Sequence, residues 1–530
     1  MGFLTLVNPP EREGYTNERT LSGGLGVARK RKPFEKPQVL LPPHDLLLSA
    51  AVAETRRARV QIVDLMLDRH AGEAAVTETC QRISTHTPAS ETPWVGVRLS
   101  MPSLPADIEF ANQLKARLPS MRLFLFGAAI MSTLDHWAAD TRADAVLYGE
   151  AEAVIGPMLA ADGEEWLRAP GVIAPSTFRP LTGKALYDGS VQVRFREWVM
   201  NTDITGAPFP AYHLIPMERY SPTGNTEDCA VYLSASRGCP IGCTMCPYML
   251  HEGRPLRAVE AERVLDEMEW LNRTWGIYRW RFKDPNFGFD RKQVREILTG
   301  VIERGIKMDA TVEGSLECMD DPLIELMGRA GVKVITTGIE TADEECLASI
   351  GQKIRINDIL AHKIAYADSL GIHVYGTFVV GAPEETWDTV RRTITYAKEV
   401  PCEAAFTIMT PFPGTPMYFR ALKEGLVEPK MSYTQWNSFE ATMRTYALTR
   451  SDLTLARLWA RLELIIPYSR RRASRGSVTG RIKTELKLLP RRIALVLVRA
   501  AVAWRRRFGK TALPREEQPR VVEKIPLHWS

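Results

Sequence analysis

The sequence predicts an α/β protein built from a doubly wound parallel sheet, a partial β/α barrel and a helical C-terminal region. Three observations carry that reading. At 530 residues the chain is longer than one hydrophobic core ordinarily supports. Apolar strand-like runs alternate with helical patterns twice, over residues 1–165 and again over 229–425. A Pro-, Gly- and Thr-rich stretch, 166–228, reads as the linker between them, and a basic region, 426–530, follows.

In the first run, LTLVNPP (4–10), RVQIVDL (59–65), WVGVRLS (94–100), RLFLFGA (122–128) and DAVLYGE (144–150) read as buried strands. LLLSAAVAETRRA (46–58) and ADIEFANQLKARL (106–118) carry helical apolar spacing. Near-continuous apolar strands with helices between them indicate a parallel sheet covered on both faces. Ligands of such sheets sit beyond the carboxyl ends of the strands. Turn-forming residues collect there: Asn8-Pro9-Pro10, Ser100, Gly127 and Gly149-Glu150. Any one of them is explained as a turn, and their shared position points to a site. The stretch 11–33 is long for a strand-to-helix loop.

In the second run the strands are AVYLSAS (230–236), YRWRFKD (278–284), KMDATVE (307–313), VKVITTGIE (332–340), IHVYGTFVVG (372–381) and AAFTIMTPF (404–412). Helical patterns such as 258–275 and 387–400 separate them. Six β/α units suit a partial barrel, with chemistry at the C-terminal ends of the strands. In the tail, 469–481 reads as a flexible basic loop and RRIALVLVRAAVAWRRRFGK (491–510) as an apolar helix bracketed by arginines. Either that helix packs on the barrel with its arginines solvated, or it meets anionic lipid or an amphiphilic substrate at an interface.

Composition is that of a folded protein, 45% hydrophobic and 25% charged. The net charge of +5 hides an asymmetry: residues 451–530 hold 19 Lys and Arg against 6 Asp and Glu, which leaves residues 1–450 net acidic. No nucleic-acid partner is expected of the chain as a whole. The N-terminus lacks a charged region before an apolar segment, and no apolar run is long enough to span a bilayer. The expected location is the cytoplasm, where scattered cysteines such as Cys80, Cys229 and Cys402 serve as core thiols.

Three of the eight cysteines are not scattered. SASRGCPIGCTMCPYML (234–250) places Cys239, Cys243 and Cys246 in a C-x3-C-x2-C cluster after the first barrel strand. Three thiolates can hold three irons of a [4Fe–4S] cluster and leave the fourth open to a ligand. The alternatives are a zinc site completed by a distant Cys or His, and three unrelated core thiols. The motif in this position resembles the radical SAM superfamily, in which the open iron chelates S-adenosylmethionine (SAM) and one electron yields a 5′-deoxyadenosyl radical. Met245 stands where that family usually has an aromatic residue near the adenine. FKDPNFG (282–288) resembles the second-strand segment facing the methionine moiety and nominates Asp284 and Asn286. TGIETAD (337–343) resembles the fourth-strand Gly-x-Glu stretch and nominates Glu340 for SAM. GTFVVGAPEET (376–386) resembles the fifth-strand turn near the adenine, with Gly381, and TPFPGTPMY (410–418) resembles the segment after the sixth strand.

A doubly wound domain ahead of such a barrel resembles the cobalamin-binding members of the superfamily, over about residues 1–425. LPPHDLLLSAAVAE (41–54) is similar to the family's first helix start. LFGAAIMST (125–133) is similar to its Gly-Gly turn, with Ala128 replacing the second glycine. YGEAEAVI (148–155) is similar to its Gly-Glu-x-Glu turn. The resemblance implies a Rossmann-like cobalamin domain whose contacts include Pro9, Ser100, Gly127, Ala128, Gly149 and Glu150, with the insertion over the nucleotide tail or lower corrin face. There is no Asp-x-His-x-x-Gly, so no histidine is expected beneath the cobalt. The implied activity is radical SAM C-methylation of a small molecule, lipid or peptide, with methyl from methylcobalamin and electrons from a flavodoxin- or ferredoxin-like donor. The alternative is an oxidative cyclase or ring-rearranging enzyme without methyl transfer.

Overall fold

The structure, a computed structural model, describes residues 2–11, 14–19, 26–30, 40–161, 163–178, 198–352, 358–427, 435–474 and 478–509. The chain opens with β1 (Phe3–Asn8), followed by an antiparallel hairpin of β2 (Tyr15–Glu18) and β3 (Val27–Lys30). The strands β4 (Arg59–Asp64), β5 (Trp94–Arg98), β6 (Arg122–Phe126), β7 (Ala145–Leu147) and β8 (Val172–Ile173) complete the first sheet with β1. Its order is β4-β1-β5-β6-β7-β8, parallel except for β8. Alternation along each strand feeds two cores. Leu4, Leu6, Phe124 and Phe126 pack on helices His44–Thr55 and Ala151–Ala160. Val7, Val97, Leu123 and Leu125 pack on helices Gly72–His86 and Leu104–Arg117. Strand order reverses at β1, so the crevice between the carboxyl ends of β1 and β5 is the topological switch point of the sheet.

The second sheet runs β16-β15-β14-β13-β12-β9, all parallel. Its strands are β9 (Ala230–Leu233), β12 (Arg279–Phe282), β13 (Asp309–Glu313), β14 (Val332–Glu340), β15 (His373–Val380) and β16 (Glu403–Ile408). A short antiparallel pair, β10 (Ser236–Arg237) and β11 (Arg257–Ala258), flanks the cysteine loop. The barrel is open between β9 and β16. Helix Arg450–Ser474 covers the β16 side, where Arg457 Nε donates to the Phe406 carbonyl at 2.9 Å. Pairing or covering an edge in this way removes a template for aggregation.

The structure adds detail in two places and overturns the sequence reading in a third. Trp166 packs in the core of the first sheet, and β8 adds an antiparallel edge to it. The long insertion carries the β2–β3 hairpin; the rest of it, like residues 179–197 of the linker, lies outside the described residues. The basic stretch 469–481 is not a loop at its ends, because one helix continues to Ser474 and the next, Val478–Phe508, begins within it. Arginines favour helix, and packing between the two helices overrides the Ser and Gly signals.

Candidate active site

The cysteine loop leaves the barrel at Arg237 and returns through β11. Its backbone is pinned at three places. Cys239 N–H donates to Gly253 O, Thr244 N–H to Ile350 O and Met417 N–H to Thr244 O, at 3.2, 3.0 and 3.0 Å. All three thiols are half-buried. Burial pushes each of them up, Cys243 to about 12, and Cys246 is raised further by the neighbouring Cys243 and Cys239. Three thiolates this close together therefore need a cation to compensate them. Among the described residues no three His, Cys, Asp or Glu side chains converge on a point that would hold a single ion. A cluster that takes one thiolate per iron fits this donor set better than mononuclear zinc.

Glu340 closes the other side. It ends β14 at a register shift and sits at φ 66°, a left-handed conformation that costs a non-glycine residue on the order of 1–3 kcal/mol. Its carboxyl is buried, raised to about 7 by that burial, and near enough to Cys243 and Cys246 to push both thiols up. A strained, buried acid held against a cysteine loop is an arrangement the surrounding strands must enforce. Met245, in the loop, is partly buried against a core that first-domain residues such as Val97 and Leu125 share with Cys346 and Phe412.

Asp284 and Asn286 act on the frame. Burial raises Asp284 to about 6, and its carboxylate accepts from Ser236 Oγ at 2.6 Å and Ala235 N–H at 3.1 Å. It thus fastens the entry to the cysteine loop onto the end of β12. Asn286 Oδ1 accepts from Ser315 N–H at 2.9 Å, and its Nδ2 lies 3.6 Å from Cys318 Sγ. Cys318 in turn raises Cys239, so a fourth thiol stands beside the loop. Cys318 stands 72 residues beyond Cys246, with no motif linking it to the loop. Gly381 N–H donates to the buried carboxyl of Glu385, which burial pushes up to about 8.

In the first domain Pro9 and Ser100 sit at the switch point, with their polar atoms engaged. Arg19, 3% exposed, reaches back from the hairpin. It binds Asp107 through two nitrogens at 2.7 and 2.9 Å, and also donates to Ser100 Oγ and to the Pro9 and Pro10 carbonyls. The two residues therefore shape the crevice, and Arg19 ties the hairpin over it. Asn8 Oδ1, at the end of β1, and Ser132 Oγ, just beyond the Gly127–Ala128 turn, are buried without a hydrogen-bond partner. Such orphans at the ligand end of a doubly wound sheet fit a ligand with its own hydrogen-bonding periphery. Gly127 and Gly149 are fixed by close approach: a Cβ would lie 2.5 Å from Leu99 O and 2.3 Å from Val199 O. Ala128 is partly buried against the same core.

Glu150 faces the barrel. Its carboxylate accepts two bonds of 2.8 Å from Arg257 and one of 2.6 Å from Asn201 N–H, and pairs with Arg237 at 3.2 Å. Glu152 binds Arg237 as well. Burial alone would lower the Arg237 pKa, and the two carboxylates outweigh it and raise it. The Gly-Glu-x-Glu turn is therefore a docking seam locked onto the residue two before Cys239. On the lumen side, Tyr248 OH donates to Glu313 at the end of β13, and Glu18 of the hairpin lies within electrostatic reach of both Glu313 and Tyr232. The hairpin of the first domain and the carboxyl ends of the barrel strands thus meet at one place.

Residues 233–397 match the radical SAM superfamily. An uncharacterised methyltransferase of Pyrococcus horikoshii is 28% identical over 260 residues, 49% of this chain and 55% of the relative. Cytidylyl-2-hydroxyethylphosphonate methyltransferase of Streptomyces wedmorensis is 30% identical over 249 residues, 44% and 46% of the two chains. The chain spans about half the length of the curated relatives it matches. Among solved structures, the radical SAM methyltransferase TsrM of Kitasatospora setae, with cobalamin and a [4Fe–4S] cluster bound, superposes with a TM-score of 0.60 at 17% identity, over 81% of this chain and 80% of that one. Residues 233–397 thus match a radical SAM domain, and with the doubly wound domain ahead of them the chain shares its fold with TsrM.

Proposed function

We propose that the protein is a cobalamin-dependent radical SAM methyltransferase acting on a carbon, or a phosphorus, of a small molecule, lipid or peptide. It would work in the cytoplasm with a flavodoxin- or ferredoxin-like electron donor. One observation supports this above the others: the three-cysteine loop and the strained Glu340 carboxyl stand at the barrel mouth onto which the seam of Glu150, Glu152, Arg237 and Arg257 docks the first domain. Cys239, Cys243 and Cys246 would hold the [4Fe–4S] cluster, Glu340 the ammonium group of SAM, and the crevice beyond β1 and β5 the corrinoid. When bound, the cluster delivers one electron to the SAM sulfonium and the corrinoid supplies a methyl group that needs no nucleophilic acceptor.

The chain's own part is to bind and orient. A cation beside Glu340 would favour its charged form and draw its pKa down from about 7. Asp284 holds Ala235 and Ser236, and with them the start of the loop, in one position. Docking of the first domain over the barrel mouth keeps the reacting groups close and water out, which is where orientation supplies most of its advantage.

The test is product analysis on protein reconstituted without oxygen and given SAM, reductant and hydroxocobalamin, so that the reduced corrinoid can take a methyl group from SAM and release S-adenosylhomocysteine. Methyl transfer predicts both 5′-deoxyadenosine and S-adenosylhomocysteine. A ring-forming or ring-rearranging reaction would give the nucleoside alone, and absence of both products would remove the proposal.

A further inference from the structure

Helix Val478–Phe508 has two apolar faces. One, formed by Leu488, Leu495, Val498 and Val502, packs inward against helix Arg450–Ser474 and the barrel core. The other is formed by Leu489, Ile493, Val496, Leu497 and Trp504, which are 54–66% exposed. At 3.6 residues per turn these five fall on one stripe, turned roughly opposite to the packed one. They are five of the nine large hydrophobic side chains that are exposed among the described residues, so the concentration is a feature of this helix and not of the surface.

The same helix carries nine Lys and Arg against a single Glu, on a chain whose first 450 residues are net acidic. Lys487, Arg491 and Arg507 are exposed, Arg506 is held by Asp388 at 2.7 Å, and Trp504 lies near the C-terminal end of the stripe. A groove for a neutral protein partner would need the apolar stripe and not the charge. A nucleic acid would need the charge and not the stripe. A long side chain of either basic type can rise beside a buried apolar face and keep its charge at the headgroups. No helix among the described residues is long and apolar enough to cross a membrane. We propose that this outward stripe seats the protein on an anionic lipid surface, with the helix lying in the plane of the interface. An amphiphilic substrate could then reach the enzyme from the membrane it rests on. The inference does not depend on the reaction proposed above.

The experiment uses the full chain and sedimentation with vesicles of phosphatidylcholine alone or mixed with phosphatidylglycerol. The expected result is binding to the mixed vesicles only, weakened by salt because exposed charges are screened. Val496→Glu/Leu497→Glu should lower the bound fraction at least tenfold at one lipid concentration while circular dichroism stays unchanged. Both positions face away from the protein, so the fold is not at risk. Arg491→Gln/Lys487→Gln should weaken binding less and remove part of the salt dependence. Equal binding to both vesicles, no binding to either, or full binding by the Glu variant overturns the proposal. So does a stripe-dependent dimer in gel filtration that dissociates in the Glu variant and does not bind vesicles, since a second copy would then cover the face.

Discussion

Replacing Arg237 with Ala leaves a carboxylate stranded at the seam between the two domains. The side chains of Glu150 and Glu152 are each 7% exposed. Glu150 keeps Arg257 through two bonds of 2.8 Å, so the loss falls on Glu152, which has no other ion pair among the described residues. Removing one partner of a buried pair costs about 3–5 kcal/mol, because the remaining charge is left without compensation. In a folding unit of 150–250 residues that lowers the melting temperature by roughly 10 °C. Adding Glu152→Gln to Arg237→Ala removes the stranded charge and should restore most of the loss, a coupling that neither single change shows. The deficit of Arg237→Ala should also shrink as pH falls, because a buried, unpaired carboxylate takes up a proton more readily than it does in the unfolded chain. The assay is thermal unfolding of the cofactor-free protein at several pH values. A single variant within about 1 °C of the parent, or a double variant no better than Arg237→Ala, would refute the seam as a buried ion-pair lock.

Cys239→Ala, Cys243→Ala and Cys246→Ala should each lose most of the reconstituted iron. Cys318→Ala should keep it, and iron loss there would make the site a four-thiolate one. Glu340→Gly relieves the strain at φ 66°, so the cofactor-free protein should gain about 1 kcal/mol in urea unfolding. The same variant should bind SAM at least roughly tenfold more weakly by equilibrium dialysis, and unchanged binding would remove Glu340 from the site. Glu385, pushed up to about 8 by burial, is protonated in the folded state over a range where the unfolded chain has lost its proton. Its stabilising contribution is therefore complete below the ordinary carboxylate pKa and is lost as pH rises towards 8. Glu385→Gln should flatten that fall in stability, and an unchanged pH profile would contradict it.

The elements were legible because their signals are local. The strand at 332–340 stands where the apolar pattern puts it, and the other ten strands agree within a few residues. The cysteine loop was legible because three thiols within eight residues leave few alternatives. What the sequence could not show depends on distant partners. Arg237 meets Glu152 across 85 residues, and Arg19 meets Asp107 across 88. Neither pairing has a pattern to betray it, because charged side chains at such separations are as easily solvated as paired. Glu150 illustrates the limit well. Its turn was found by resemblance, but that its carboxylate is committed to the barrel is visible only in the fold. Cys318 was passed over for the same reason: it stands alone in sequence and comes near Cys239 only through the barrel.

Cys239, Cys243 and Cys246 are proposed to hold a cluster with one iron left open to SAM. Electron paramagnetic resonance of the reduced, reconstituted protein tests this directly. A reduced [4Fe–4S] signal that shifts on adding SAM, and that vanishes in Cys243→Ala, is the predicted result. A signal that SAM leaves unchanged would mean that the fourth iron is closed, and would contradict the account of this site.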